Sequence, residues 1–373
     1  MNILVNASNL KLGGGLQVAD SICYELNKFP QHTFVVALSK NLDKTEDRIK
    51  DYNNVSIVRY DVKNSCETLF VGRDSYLDRL VKIRGIDCVL TIFGPSRWNP
   101  RVPHISGFAM PHLALDDSPY FSKLNWVGKI KSKLKNILLT YVFRRSTNIF
   151  YTENPLITAL LKRKWRDKDI LTITNYYNQI FDTPKKWKNH PLSDFDGTTL
   201  LCVTANYPHK NLGLSIHVAR ELIRKYPDFK FRFVFTVTEN DIDIPEDLRD
   251  KFLLIGKVDI SECPSLYRQA DIMFQPSLLE CFTATYPEAM RMQVPIVTTD
   301  LEFARGLCGN AALYFSSLDA SDAAEKIYKV SNNQTIRKQL IDEGLKQLNQ
   351  FDTASQRAEK LIKLCEDISK SKP

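Results

Sequence analysis

Two α/β units, each built on a parallel sheet, are predicted by three observations. Short β-rich runs alternate with helical patterns through the first half of the 373 residues, a stretch from Asn178 to Thr198 carries no period, and a second alternating series comes after it. The length suits two cores of ordinary size better than one. Hydrophobic residues at 43% against 25% charged place the chain among globular rather than disordered proteins.

In the first series MNILVN reads as a strand, and 16–29 has helical spacing through Val18, Ile22, Cys23 and Leu26. Further strands are predicted at 34–38, 55–60, 88–93, 104–108, 148–151 and 170–173, with helical segments between several of them. The run QIFDTPKKWKNHPLSDFDG has two prolines, many charges and no apolar period, which predicts an interdomain linker. The second series opens with a strand at 200–204 and a helix over 212–226. It continues with strands at 231–235, 252–254, 272–275 and 296–298, and helices near 265–270 and 285–292. Helices over 319–331, 335–350 and 355–369 close the chain. The domains so read are 1–182 and 196–354, with a ligand expected between them, near the C-terminal ends of both sets of strands.

Composition narrows the function classes. Eight scattered cysteines (23, 66, 88, 202, 263, 281, 308 and 365) form no C-x-x-C pair, and six histidines lack ligand-like spacing. Reduced, buried thiols in a cytoplasmic protein with no metal site are expected from that pattern. The start, MNILVNASN, lacks the basic flank and long apolar core of a secretory signal, and the apolar stretch around 137–143 is too short to span a bilayer. The net charge of +8 is concentrated between Tyr120 and Thr152, where Lys123, Lys129, Lys131, Lys133, Lys135, Arg144 and Arg145 stand with no acidic residue among interleaved aromatic and aliphatic side chains. A basic amphipathic helix of this kind suits an anionic membrane surface or an acidic substrate; the competing reading is a solvated face beside an ordinary core stripe. Nucleic acid is not expected, because the basic charge is local and no nucleic-acid module is recognisable.

Three motifs carry the chemistry. PSLLECFTATYPEAM (Pro276–Met290) places Glu280 at a strand–helix turn and Glu288 eight residues on, inside the helix. Backbone amides of Cys281, Phe282 and Thr283 at such a helix start suit phosphate or sugar hydroxyls, and Glu288 suits a diol such as ribose. LLCVTANYPHKNLGLSI (Leu200–Ile216) puts Lys210 in a polar turn after a buried strand, beside a helix expected to begin near Asn211. A cation there can hold a diphosphate and neutralise the charge that grows on it as a leaving group. Gly13, Gly14 and Gly15 after the first strand allow close backbone approach to a ligand.

These motifs occur together with LYRQADIMFQPS, VPIVTTDLEFARGLCGNAALYFSSLD and PHKN, and in that order the chain resembles family-4 retaining glycosyltransferases of the GT-B fold. The likeness is specific over about 200–350; in the first half only the Gly-rich loop, IFGPSRW and TITNYYN are landmarks. The resemblance implies two Rossmann-like domains facing across a cleft, with 355–373 crossing back to the first. It implies a nucleotide diphosphate sugar as donor, no cofactor and no metal. Glu288 would bind the ribose, Glu280 the donor sugar, the backbones of Phe282 and Thr283 sugar or phosphate, and Lys210 the diphosphate. Gly14 and Gly15 would approach the donor phosphate or the acceptor. His112 in FAMPHLAL is the counterpart of a histidine that members carry at the end of a strand in the first domain. The pattern departs at Ala205, where many members have an arginine; Asn206 or Arg305 would take its part. The implied function is transfer of a hexose-type sugar to a glycan or lipid-linked saccharide in surface polysaccharide synthesis, at the inner face of the cytoplasmic membrane. Two alternatives stay open: a catalytically silent partner in a polysaccharide assembly complex, and another GT-B activity such as a sugar-nucleotide epimerase or a phosphorylase.

Overall fold

The computed structural model of the chain describes residues 1–11, 13–62 and 67–370, so Cys66 lies outside the described residues. The chain forms two compact units. The first comprises 1–116, 124–175 and the residues from Asp352 onward; the second comprises 117–123 and 176–351.

The first unit has a seven-stranded sheet of β1 (Asn2–Ala7), β2 (Thr33–Leu38), β3 (Val55–Arg59), β4 (Cys88–Thr91), β5 (His104–Phe108), β6 (Ile149–Thr152) and β7 (Asp169–Thr172). All pairings are parallel, in the order β3-β2-β1-β4-β5-β6-β7. Strands covered on both faces read as near-continuous apolar runs rather than alternating ones, and β2 and β4 are buried along nearly their whole lengths. The period-2 pleat then splits each strand between two cores. Ile3 and Val5 point to one face, with Ile22 and Cys23 of α1 (Gly14–Tyr24) and Leu361 and Cys365 near the C-terminus. Leu4 points to the other, with Val35, Leu77 and Trp98. Between β2 and β6 come α2 (Asp43–Ile49), α3 (Ser75–Ile83), the single turn α4 (Pro119–Ser122) and α5 (Trp126–Ser146); α6 (Pro155–Lys164) precedes β7.

The second unit has a six-stranded parallel sheet of β8 (Thr198–Cys202), β9 (Phe231–Phe235), β10 (Phe252–Leu254), β11 (Ile272–Gln275), β12 (Ile296–Thr299) and β13 (Ala312–Phe315), in the order β10-β9-β8-β11-β12-β13. Its helices are α7 (Leu214–Lys225), α8 (Cys263–Arg268), α9 (Thr285–Arg291), α10 (Glu302–Cys308), α11 (Ala320–Ser331) and α12 (Gln334–Leu348). Phe233 and Phe274 of the sheet meet Val218 and Leu222 of α7 and Ala324 and Ile327 of α11 in its core. Two parallel α/β units are thus what the alternation in the sequence predicts.

The stretch 178–198 is not a free linker. The chain passes from the first unit to the second after Asn175, and residues 178–198 pack within the second through two 3-10 turns, Gln179–Asp182 and Pro184–Lys186. Lys188 N–H donates to the Ser261 carbonyl (2.9 Å) and Arg232 donates to the Ser193 carbonyl (2.7 Å). Backbone and long-range polar bonds hold these residues, so no hydrophobic period is needed and none is present.

The closing helix α13 (Ala354–Lys370) belongs to the first unit. Its Arg357, 1% exposed, donates to Ser21 Oγ (2.9 Å) and to Asn175 Oδ1, and lies 3.9 Å from Glu153. Burial pushes the Glu153 carboxyl up to about 7 and the Arg357 charge opposes it.

Helix α5 buries little beyond its last turns, where Val142, Phe143 and Ser146 are enclosed. Trp126, Ile130, Leu134, Ile137 and Tyr141 recur at helical spacing and are each more than half exposed. The stripe that a core reading would bury therefore faces solvent, flanked by Lys129, Lys131, Lys133 and Lys135. Among the described residues no helix is long and apolar enough to cross a membrane.

Candidate functional site

In the second sheet the strand order reverses between β8 and β11, whose onward connections run in opposite directions and leave a crevice beyond their C-terminal ends. The turn after β8 carries His209 and Lys210; the turn after β11 carries Glu280. Leu278 N–H donates to the His209 carbonyl at 2.8 Å, tying the two turns together. The second turn is fixed from beneath: Thr299 Oγ1 donates to the Ser277 carbonyl (2.8 Å) and Gln275 Nε2 to Ser277 Oγ (3.0 Å).

Lys210 Nζ donates to Glu280 Oε1 at 2.6 Å, with the two side chains only 14% and 9% exposed. The pair is thus largely withdrawn from water at the mouth of the crevice, where charge–charge interactions are stronger than at an open surface. Lys210 lies in the polar turn expected of it, but the helix beside it, α7, begins at Leu214 rather than near Asn211. Lys210 ends a 3-10 turn (Pro208–Lys210), and Asn211 adopts a left-handed conformation with φ 54°. The proline at the start of the turn and the left-handed asparagine at its end explain the break.

Glu288 lies inside α9, 5% exposed, and accepts from Tyr267 Oη at 3.0 Å. Burial pushes its carboxyl up to about 7, partly offset by the Tyr267 bond. Between the two acids, Thr283 is buried and shares a hydroxyl–hydroxyl bond with Thr285 (3.1 Å), and the Phe282 ring meets Phe351 edge-on (5.8 Å). His209 has a lowered pKa: desolvation drives it down, the Glu280 charge opposes this and Lys210 adds to it.

The two residues expected to replace an arginine at Ala205 are engaged elsewhere. Asn206 Nδ2 donates to the Asp241 carbonyl (2.6 Å). Arg305, 56% exposed, pairs with Asp300 (2.8 Å) and stacks on the Tyr314 ring (4.4 Å).

Gly14, Gly15 and His112 belong to the first unit. Gly14 and Gly15 open α1 after the reversal strand β1; a Cβ on Gly14 would meet nothing within 4 Å. The loop beside them is tied to the turn after β4, with Asn9 Nδ2 donating to the Phe93 carbonyl at 2.7 Å. His112 sits in a 3-10 turn (Pro111–Leu113), and its carbonyl accepts from Asn136 at 2.9 Å.

Several residues around the pair were not singled out from sequence. Tyr207 stacks on His209 (5.6 Å), Tyr120 packs edge-on against it (6.4 Å), Tyr267 holds Glu288, and Lys123 reaches Asn211. The local signal for His209 and Asn211 was their place in PHKN; Tyr120 and Lys123 come from far along the chain and were legible only as members of the basic 120–152 segment.

Residues 185–347 match the glycosyl transferases group 1 family. Solved structures match along the whole chain. A glycosyltransferase from Rickettsia africae is 14% identical with a TM-score of 0.70, covering 100% of this chain and 99% of its own. Sucrose-phosphate synthase from Thermosynechococcus elongatus is 12% identical with a TM-score of 0.73, covering 100% of both chains. The Anabaena protein HepE, solved with UDP and glucose, is 12% identical with a TM-score of 0.69, covering 98% of this chain and 100% of its own. No curated protein matched the sequence significantly. The fold is therefore that of GT-B glycosyltransferase structures.

Proposed function

We propose that this protein is a retaining, metal-independent glycosyltransferase that moves a hexose-type sugar from a nucleotide diphosphate sugar to a glycan or lipid-linked saccharide in surface polysaccharide synthesis. One observation carries the proposal. A lysine–glutamate pair sits at the order reversal of the second sheet, within the stretch that matches glycosyl transferases group 1, with a second, buried glutamate eight residues on.

Each group then has work to do. In the free protein Glu280 holds Lys210 in place; when donor arrives, the ammonium turns to the diphosphate and the carboxylate to the sugar hydroxyls. The bond between the anomeric carbon and the phosphate oxygen breaks, and the nucleoside diphosphate leaves with the electron pair. The acceptor oxygen attacks from the face the phosphate leaves and gives its proton to the departing phosphate oxygen, which preserves the anomeric configuration. Lys210 stabilises the charge that grows on that oxygen. Glu288 accepts from the ribose diol. His209, kept neutral by its surroundings, adds no further positive charge. Gly14 and Gly15 are assigned to the donor phosphate or the acceptor, and His112 to the acceptor side.

The acceptor is assigned to the inner face of the cytoplasmic membrane because α5 offers it a surface. Its exposed apolar stripe between lysines has the make-up of a helix that lies in a headgroup region and favours anionic lipid.

Ala205, with Asn206 and Arg305 both engaged, keeps a second reading in play, a silent partner in an assembly complex. Incubating the protein with labelled UDP-, GDP-, ADP- and dTDP-sugars and lipid-linked acceptor, without metal, separates the possibilities. A glycosylated product with the donor's anomeric configuration supports the proposal. An interconverted sugar nucleotide supports an epimerase, and unchanged donor across the panel supports the silent partner.

A further inference from the structure

We infer that Lys123 is the second cation of the nucleoside diphosphate site, carried there by a short segment of the first half of the chain that packs in the second unit. The inference rests on the donor site of the proposed function and adds a residue to it.

The site as read from its motifs is short of positive charge. Lys210 is already matched by Glu280 at 2.6 Å, so the pair together is close to neutral. A diphosphate brings more than one negative charge into the same crevice, and a largely enclosed site must supply countercharge that water no longer provides. The two residues expected to take the part of the arginine missing at position 205, Asn206 and Arg305, point to other partners.

Residues 117–123 belong to the second unit, although the residues on both sides of them belong to the first. Ser118 Oγ donates to the Leu278 carbonyl (2.6 Å), on the turn that carries Glu280. Tyr120 stands edge-on against His209, on the turn that carries Lys210. The segment is therefore attached to both turns of the crevice. It ends at Lys123, whose Nζ donates to Asn211 Oδ1 at 2.5 Å. Asn211 directly follows Lys210, so the Lys123 ammonium is anchored one residue along the chain from the Lys210–Glu280 pair.

Asn211 supplies the independent sign of a ligand. It is only 5% exposed, and the Lys123 bond fixes which end of its amide is oxygen. The other end, Nδ2, is buried and has no hydrogen-bond acceptor among the described residues. A buried N–H pair without an acceptor is costly, and native proteins rarely leave one so. A phosphate oxygen held between Lys123 and Lys210 would accept from it. Lys123 itself is exposed and pairs with no acid among the described residues, so its charge is available to a ligand.

A purely structural tie between Lys123 and Asn211 would change stability and would weaken every ligand of the site alike; a phosphate clamp is selective for the charged part of the donor. The test uses the full chain and titrates UDP, GDP, ADP and dTDP, then the nucleoside of whichever binds, into wild type, Lys123→Ala and Lys123→Arg, with the unliganded melting temperature as a fold control. We expect Lys123→Ala to lose about tenfold in affinity for the diphosphate, as the loss of one charge-assisted bond implies. We expect nucleoside affinity to be unchanged, and Lys123→Arg to bind the diphosphate like wild type. Equal diphosphate affinity in wild type and Lys123→Ala overturns the inference and leaves the donor site standing. The same factor lost for diphosphate and nucleoside also overturns it. A wild type that binds none of the four diphosphates refutes the donor site itself, and the inference with it.

Discussion

Glutamine in place of Glu288 should make the protein more stable at alkaline pH while weakening its hold on a nucleotide. The carboxyl is buried, and its pKa stands near 7 in the folded protein against 4.5 for an ordinary glutamate. A folded-state pKa raised in this way adds stability that is fully present below about 4.5 and is lost as the pH rises through about 7. The difference between the two values corresponds to ~3 kcal/mol, of which about 2.5 kcal/mol falls between pH 5 and pH 8. Glu153 in the first unit titrates in the same range, so the pH dependence of the wild type alone does not isolate Glu288; subtracting the Glu288→Gln variant from the wild type does. For a unit of this size the swing amounts to about 5–10 °C in melting temperature. Differential scanning calorimetry of both proteins at pH 5 and pH 8 reads it directly. The variant should gain on the wild type by that amount between the two conditions, because its amide has nothing to ionise. A gap between the two proteins that stays constant from pH 5 to pH 8 would refute the assignment of a strained, buried carboxylate at this position.

Other perturbations have equally definite outcomes. Lys210→Ala should slow nucleoside diphosphate release from the donor by at least about a hundredfold, measured by coupled assay, because it removes the cation that the turn after β8 places against the leaving group. Reversing Lys129, Lys131, Lys133 and Lys135 to glutamate should abolish sedimentation with phosphatidylserine vesicles at low salt, since each lysine near an anionic surface is worth about 1 kcal/mol. Trp126→Ser with Leu134→Ser should weaken that sedimentation without lowering the melting temperature, as both side chains are exposed. Gly107→Ala should destabilise the first unit by about 3 kcal/mol in urea unfolding, because a Cβ there would overlap the Ile92 carbonyl oxygen and come within 2.6 Å of the Tyr151 ring.

What sequence could reveal divides along physical lines. Strands buried on both faces leave continuous apolar runs, and these marked β2, β9 and β11 within a residue or two. β13 and α10 were missed; ALYF is only partly covered in the sheet, which weakens its apolar signal. The 120–152 segment was legible as basic and amphipathic, but whether its apolar side is covered depends on neighbours that no local pattern encodes. Within the site, Glu280, Glu288 and Lys210 could be singled out because each sits in a motif at a strand end. Their relations could not. Lys210 and Glu280 are 70 residues apart and meet because β8 and β11 are adjacent in the sheet; Lys123 and Asn211 are 88 apart and meet because one short segment packs away from its flanks. The linker was misread for a related reason: long-range polar bonds order it, and those leave no period.

A crystal structure with the nucleoside diphosphate chosen by titration would bear most directly on the assignment of one donor pocket to the second unit. The β-phosphate should lie within hydrogen-bonding distance of Lys210 Nζ and the ribose hydroxyls against the Glu288 carboxylate. Nucleotide bound away from the turns after β8 and β11, with the Lys210–Glu280 pair undisturbed, would contradict it.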